Sequence, residues 1–163
     1  MADESHPRNG IPAEHAALAR DVLRGAKAGS LATLLPDGTP FASLVTVGFD
    51  VDGAPLLLLS KLAVHTQNLA RDDRASLLLV ADSAAAPDRL ADSRVTLVGR
   101  TAPAADQDAA RELFLAAHPE AGGYARFADF AAYRFETLNG HLVAGFGRIS
   151  TIPAEMLFGP AGR

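Results

Sequence analysis

Side chains able to do chemistry concentrate in one segment, residues 60–69, which reads SKLAVHTQNL. It holds hydroxyls, an amide, an imidazole and one of the chain's two lysines, at a loop predicted to lead into a helix. The first turn of a helix leaves backbone N–H groups unpaired and favours negative charge. With Ser60, Lys61, His65 and Thr66, these groups would suit a mononucleotide phosphate. A competing interpretation is that Ser60 or Thr66 only caps the helix and that His65 is a bystander.

Two other segments could reach the same ligand. Ser43, Leu44 and Val45 lie on a predicted strand, which can offer backbone groups and alternate side chains to a ligand, or can be an ordinary half-exposed strand. Arg148 follows the glycines of Gly145-Phe146-Gly147, and its guanidinium could bind a phosphate or a propionate with two hydrogen bonds. A strand-end bulge with a surface arginine is the alternative.

Several classes of protein are disfavoured by composition. The absence of cysteine excludes disulfide scaffolds, thiolate metal sites and cysteine nucleophiles. The five histidines show no metal-ligand spacing, and no nucleophile elbow, Walker loop or dinucleotide fingerprint occurs. A net charge of -4 argues against a dedicated nucleic-acid partner. Neither a signal peptide nor an apolar run of membrane-spanning length is found, so we expect a cytoplasmic protein with no membrane partner.

The elements that position these residues form a small, mainly antiparallel domain. Periodicity predicts helices at residues 12–27, near 64–70 and at 104–117, with Gly29 following the first. Strands are predicted at residues 30–35, 40–49, 55–59, 75–81, 93–103, 134–138 and 141–146. Asn139-Gly140 is predicted to join the last two as a hairpin. We expect an α+β, mainly β fold: a flexible lead at 1–12, one domain at 13–152 and a short tail at 153–163.

Five ordered blocks between about residues 14 and 152 give a more specific expectation. They are 59–69 (LSKLAVHTQNL), 72–78 (DDRASLL), 94–99 (RVTLVG), 118–121 (HPEA) with 127–130 (FADF), and 145–148 (GFGR). Together they resemble the pyridoxamine 5'-phosphate oxidase-like, FMN-binding split-barrel superfamily, in particular its branch with the HugZ-type haem oxygenases.

This resemblance implies a six-stranded antiparallel split β-barrel with flanking helices, forming a homodimer that binds FMN at its interface. It places Ser43, Leu44 and Val45 beside the flavin ring. It places Ser60, Lys61 and Leu62 at the ring or ribityl chain, and His65 and Thr66 at the phosphate. With Arg148, these residues are the predicted cofactor-binding set. No catalytic side chain and no metal ligand is expected, because a flavin would carry the redox chemistry.

The sequence departs from the family pattern in three places. Many relatives have Arg and Lys where His65 and Thr66 stand, which lowers the fixed positive charge here. Haem-degrading relatives have a further C-terminal domain with an iron-ligating histidine, whereas no histidine follows His141. The tryptophan-containing substrate signature of pyridoxamine phosphate oxidase is also missing, since the chain has no Trp.

The ordered blocks lead us to expect an FMN-dependent oxidoreductase with an unknown substrate, and the second and third departures argue against a haem oxygenase and against vitamin B6 oxidation. Three alternatives stay open: a haem-binding or haem-utilisation protein, a deazaflavin protein, and a cofactor-free dimeric binding protein.

Overall fold

The computed structural model describes residues 10–81, 88–145 and 147–158. The elements in those stretches are α1 (Ala13–Gly25), β1 (Ala28–Leu34), β2 (Pro40–Phe49), β3 (Pro55–Ser60), α2 (Val64–Arg71), β4 (Arg74–Val80), β5 (Arg94–Pro103), α3 (Gln107–Ala117), β6 (Phe130–Val143), β7 (Ile149–Pro153) and α4 (Ala154–Phe158). Short 3-10 turns lie at Arg89–Ala91 and Pro119–Gly123. No helix among these is long and apolar enough to cross a membrane.

Six strands close into an antiparallel barrel, as expected. Their order is β3-β2-β1-β4-β5-β6, and β6 pairs with β3 to complete the ring. β7 lies outside the ring, paired with the second half of β6. The ladder between β2 and β3 is short, covering only Val47–Phe49 of β2. The earlier part of β2, which includes Ser43, pairs with β1 alone, and the barrel is therefore split at this seam.

The all-apolar strand β3 joins two cores because both of its faces are covered. Leu57 and Leu59 point into the barrel, in the main core cluster. The alternate residues Leu56 and Leu58 pack in a second cluster beneath α3, with Phe114. This two-residue alternation explains why a strand in an antiparallel barrel reads as a continuous run of leucines.

Acidic side chains stabilise the turns on both sides of β2. The Asp37 carboxylate accepts from Thr39 N at 2.9 Å, in a turn where Gly38 has φ +82°. Asp50 accepts from the backbone N–H groups of Asp52 and Ala54, both at 2.9 Å. Such local side-chain to backbone bonds are typical of turn-forming aspartates.

The predicted Asn139-Gly140 hairpin is wrong, because β6 runs unbroken through both residues. A type I′ hairpin needs positive φ at its central residues, and neither of these two has it. Gly140 instead permits close packing: a Cβ there would lie 2.8 Å from Leu157 Cδ1 of α4. The chain turns later, where Gly145 and Gly147 have φ of +64° and +86°.

Two further boundaries differ from the predicted ones. Gly29 does not follow the first helix directly but lies within β1, where an added Cβ would meet Leu78 O at 2.7 Å. Residues assigned to a C-terminal tail form the end of β7 and α4, whose Leu157 is buried in the main core. The predicted lead lies outside the described residues up to position 9.

Candidate functional site

Helix α2 is fixed beside β1 and β2 by a buried polar contact. Asn68 is fully buried; its side-chain N–H₂ donates to Thr33 Oγ1 at 3.0 Å and its oxygen accepts from Arg71 at 2.9 Å. Leu69, the next residue, packs in the barrel core. Asn68 is thus a structural residue, and it sets the position of the helix start that precedes it.

That position brings together two predicted site residues. His65 Nδ1 lies 3.0 Å from Ser43 Oγ, between the first turn of α2 and the unpaired part of β2. His65 is half-buried, and desolvation lowers the pKa of its imidazole. The ring is therefore neutral at pH 7. The bond to Ser43 occupies Nδ1, while Nε2 has no hydrogen-bond partner among the described residues.

The loop before α2 is tied to the segment before β6. Ser60 Oγ donates to Asp129 Oδ2 at 2.7 Å and accepts from Leu62 N at 3.2 Å. Lys61 N donates to Asp129 O at 2.7 Å, and Lys61 Nζ lies 3.4 Å from Ala128 O. Sequence reasoning assigned Asp129 no role, although it stood in one of the five blocks.

The start of α2 has no side-chain cap. Its N-cap position is Ala63, with no side-chain cap, so neither Ser60 nor Thr66 caps the helix. Thr66 is buried, and its Oγ1 has no partner among the described residues. Of the predicted phosphate-binding side chains in residues 60–69, Lys61 alone brings a positive charge, because His65 is neutral.

Exposed apolar side chains lie next to Ser43 and shortly before His65 in the sequence. Leu44 is 80% exposed on the outer face of β2, and Leu62 is 77% exposed in the loop before α2. Val64, in the first turn of α2, is also exposed. Val45 differs, because it is buried in the barrel core and offers a ligand only its backbone. Exposed leucines of this kind suit an apolar ligand or another protein surface.

Arg148 lies far along β6 from the strand end that pairs with Ser60. Phe130, at the start of β6, pairs with Ser60, whereas Arg148 follows the other end of the same strand. The 14 residues of β6 span roughly 45 Å of contour at about 3.3 Å each. Arg148 is exposed there, and its carbonyl accepts from Ala144 N at 2.9 Å.

The whole folded domain matches one family model. The model is described as CREG, β-barrel, and it matches residues 11–158. The chain belongs to this family. The family assignment agrees with the pyridoxamine 5'-phosphate oxidase-like split barrel expected from the five sequence blocks.

Two proteins that are similar to this chain have names that mention haem. The non-canonical haem oxygenase HOZ of Arabidopsis thaliana chloroplasts is 37% identical over 121 residues, which are 72% of this chain and 36% of that protein. A solved haem-binding protein from Mycobacterium smegmatis has 38% identity and a TM-score of 0.82, over 88% of this chain and 59% of that one. A protein of unknown function from Agrobacterium tumefaciens has 29% identity and a TM-score of 0.79, over 94% and 64%. This chain thus spans about a third of the plant relative.

No group of three or more potential His, Asp or Glu metal ligands occurs in the described parts of the chain. A histidine-carboxylate metal centre is therefore not assembled among those residues. A porphyrin iron is a different case, because the macrocycle supplies four of its ligands and the protein needs to supply one.

Proposed function

We propose that this protein binds haem and that His65 is the iron ligand. The observation that carries the proposal is the hydrogen bond between Ser43 Oγ and His65 Nδ1. It supports haem over FMN because it orients a neutral imidazole with Nε2 left for a metal, and neutral imidazole is a common haem ligand. The two haem-named relatives at 37% and 38% identity support the same choice.

The surroundings of His65 fit a porphyrin better than a phosphate. A macrocycle needs apolar contact area, and the exposed side chains of Leu62 and Val64 shortly precede His65 in the sequence. A phosphate needs fixed positive charge, and Lys61 is the only cation in the predicted set near α2. Outer partners such as Ser43 typically change metal affinity by about 10- to 100-fold when removed. Haem, once bound, would supply the redox chemistry, while the chain orients it through His65.

Hemin titration of the purified protein tests this proposal. We expect a saturable Soret band at one haem per chain. His65→Ala should shift that band and weaken binding, and added imidazole should restore the original band. Ser43→Ala should keep the histidine-ligated spectrum but bind about tenfold more weakly. The matched control is His141→Ala, because His141 is exposed on β6 and bonded to Thr151 Oγ1. A His65→Ala spectrum and affinity equal to those of His141→Ala would refute the proposal.

FMN-dependent oxidoreduction is the second candidate function. It is favoured by the seam, where β2 residues around Ser43 and Leu44 lack a β3 partner and could contact a flavin edge through the backbone. The test is the identity of the cofactor released on denaturation, together with quenching of FMN fluorescence by the purified protein. FMN quenching at micromolar protein without a hemin Soret shift would favour this candidate over haem.

We also propose that the protein is a homodimer with its cofactor at the subunit interface. The support is the exposure of Leu44 and Leu62 beside the seam, and the distance of Arg148 along β6 from this site. A second copy could supply its own Arg148 to this site. Sedimentation equilibrium checks the dimer, and Leu44→Glu should shift the protein towards monomer. Val51→Glu is the control, because Val51 is equally exposed but lies in the β2–β3 turn.

A further inference from the structure

A cavity lined by neither Ser43 nor His65 lies between β6, α3 and the segment before β6. Its volume is about 570 Å³, within the range of small-molecule sites, which is roughly 300–1,000 Å³. Its walls come from the residues Lys61, Pro103, Ala104, Gln107, Arg111, Arg126, Phe127, Ala128, Phe130, Ala131 and Tyr133.

The charged residues of this cavity all have the same sign. Lys61, Arg111 and Arg126 line it, and no Asp or Glu does. Two acidic groups lie close by: Asp129 accepts from Ser60, and Asp108, which is almost fully exposed, forms an ion pair of 3.6 Å with Nη1 of Arg111 itself. The exposed Asp108 offsets only part of the charge of Arg111, so three lining cations without a lining carboxylate leave a positive potential that a bound anion would offset.

Arg111 is the most informative of these cations. Its side chain is only 20% exposed, and its Nη2 donates to Phe130 O at 3.1 Å. Its Nε is buried without a hydrogen-bond partner among the described residues. A buried donor without an acceptor costs free energy, so the protein does not satisfy every donor of this guanidinium.

The remaining walls are apolar and rigid. Phe127 and Phe130 contribute aromatic faces, and Tyr133 is half-buried, so burial raises the pKa of its phenol and keeps it protonated. Gln107 is held by hydrogen bonds to both the N–H and the C=O of Ala132. The cavity therefore offers an apolar, partly aromatic body contact beside its positive charges.

We infer that this cavity binds a small organic anion, a carboxylate carried on an apolar ring, independently of haem. Arg111 and Lys61 would contact the carboxylate, and the Phe127 and Phe130 side chains would contact the ring. Planar guanidinium groups are well suited to carboxylates because they donate two parallel hydrogen bonds.

The tyrosine content of the chain gives a direct reporter. The chain has two tyrosines and no tryptophan, so Tyr124→Phe leaves Tyr133, in the cavity wall, as the sole emitter. Cyclohexanecarboxylate, which does not absorb where tyrosine does, should change this emission saturably. Cyclohexanol, with the same ring and no charge, should bind at least about tenfold more weakly. Rising ionic strength should weaken the binding of cyclohexanecarboxylate but not that of cyclohexanol.

Variants in the same Tyr124→Phe background assign the contacts. Lys61→Gln and Arg126→Gln should each weaken binding about threefold, as expected for exposed charges, and Arg111→Gln should weaken it more. Arg24→Gln is the control, because Arg24 is exposed on α1 and pairs with Asp21. Arg111→Lys keeps the positive charge. Binding retained in this variant would show that the loss of binding in Arg111→Gln does not reflect misfolding.

Three results would overturn the inference. The first is no saturable response to cyclohexanecarboxylate, and the second is equal affinity for cyclohexanol. The third is release of cyclohexanecarboxylate by one equivalent of hemin. That result would mean that the cavity holds the propionates of haem and not a separate ligand. Saturable binding that survives hemin loading supports the inference.

Discussion

Ser60 Oγ donates a hydrogen bond to Asp129 Oδ2 at 2.7 Å, although the two residues are 69 positions apart in the chain. This contact joins the end of β3 to the segment that leads into β6. Because β3 and β6 also form the pair that closes the barrel, the same contact fixes the loop before α2 relative to that closure. The position of Lys61 and the start of the helix therefore depend on it.

Replacing Ser60 with alanine should destabilise the protein by about 1–2 kcal/mol, because Asp129 would lose a hydrogen bond while partly buried. Urea denaturation followed by circular dichroism measures this. Ser30→Ala is the matched control, since Ser30 is exposed at the start of β1. Equal midpoints for the two variants would mean that the Ser60–Asp129 contact contributes nothing to stability.

Asn68→Ala should lower the free energy of unfolding by more than Ser60→Ala does, by about 2–3 kcal/mol. The substitution leaves a cavity and removes the hydrogen-bond partner of buried Thr33. Gln67→Ala on the same helix is the control, because Gln67 is exposed. Thermal unfolding compares the two variants. If Asn68→Ala and Gln67→Ala have the same melting temperature, the buried amide of Asn68 does not hold α2 in place.

Stability should fall as the pH drops below about 6.5, the ordinary pKa of histidine, in part because of His65. Its pKa is lowered in the folded state by burial, so the unfolded chain binds the proton more readily. The stabilisation is complete above the unfolded pKa and is lost as the pH falls through the folded one. Urea unfolding at pH 7.5 and at pH 5.0 should show a smaller difference for His65→Gln than for the wild type. His141→Gln should retain the wild-type difference; if His65→Gln retains it as well, this explanation is wrong.

Gly99→Ala should destabilise the protein by about 3 kcal/mol, at the upper end of overpacking effects. A Cβ at this position would lie 2.0 Å from Glu136 O, a backbone atom of the paired strand β6. Gly99 borders the register shift between β5 and β6, so the backbones approach closely there. Gly122→Ala, with open space around its Cβ, should change the melting temperature little. Similar melting temperatures for both variants would contradict this account of the close approach.

Most elements followed from local sequence, because hydrophobic periodicity and turn chemistry act over a few residues. Pro40–Phe49 agrees with the prediction at both ends, since strong Asp-Gly turns border it. The Asn139-Gly140 prediction failed because the same dipeptide serves both tight turns and close packing. Only the contact of Gly140 with Leu157 distinguishes the two uses, and that contact depends on where α4 packs.

The candidate site also has features that local sequence predicts and features that only tertiary contacts decide. The sequence by itself determined that residues 60–69 were unusual, that the fold was a split barrel, and that no cysteine chemistry was available, because residue types and ordered motifs are local properties. Only the tertiary structure decided that His65 faces Ser43, that Thr66 is buried, and that Arg111 and Arg126 join Lys61 around one cavity. Those outcomes depend on contacts between residues 19 to 69 positions apart, which barrel closure and the packing of α2 and α3 bring together and which no local pattern encodes.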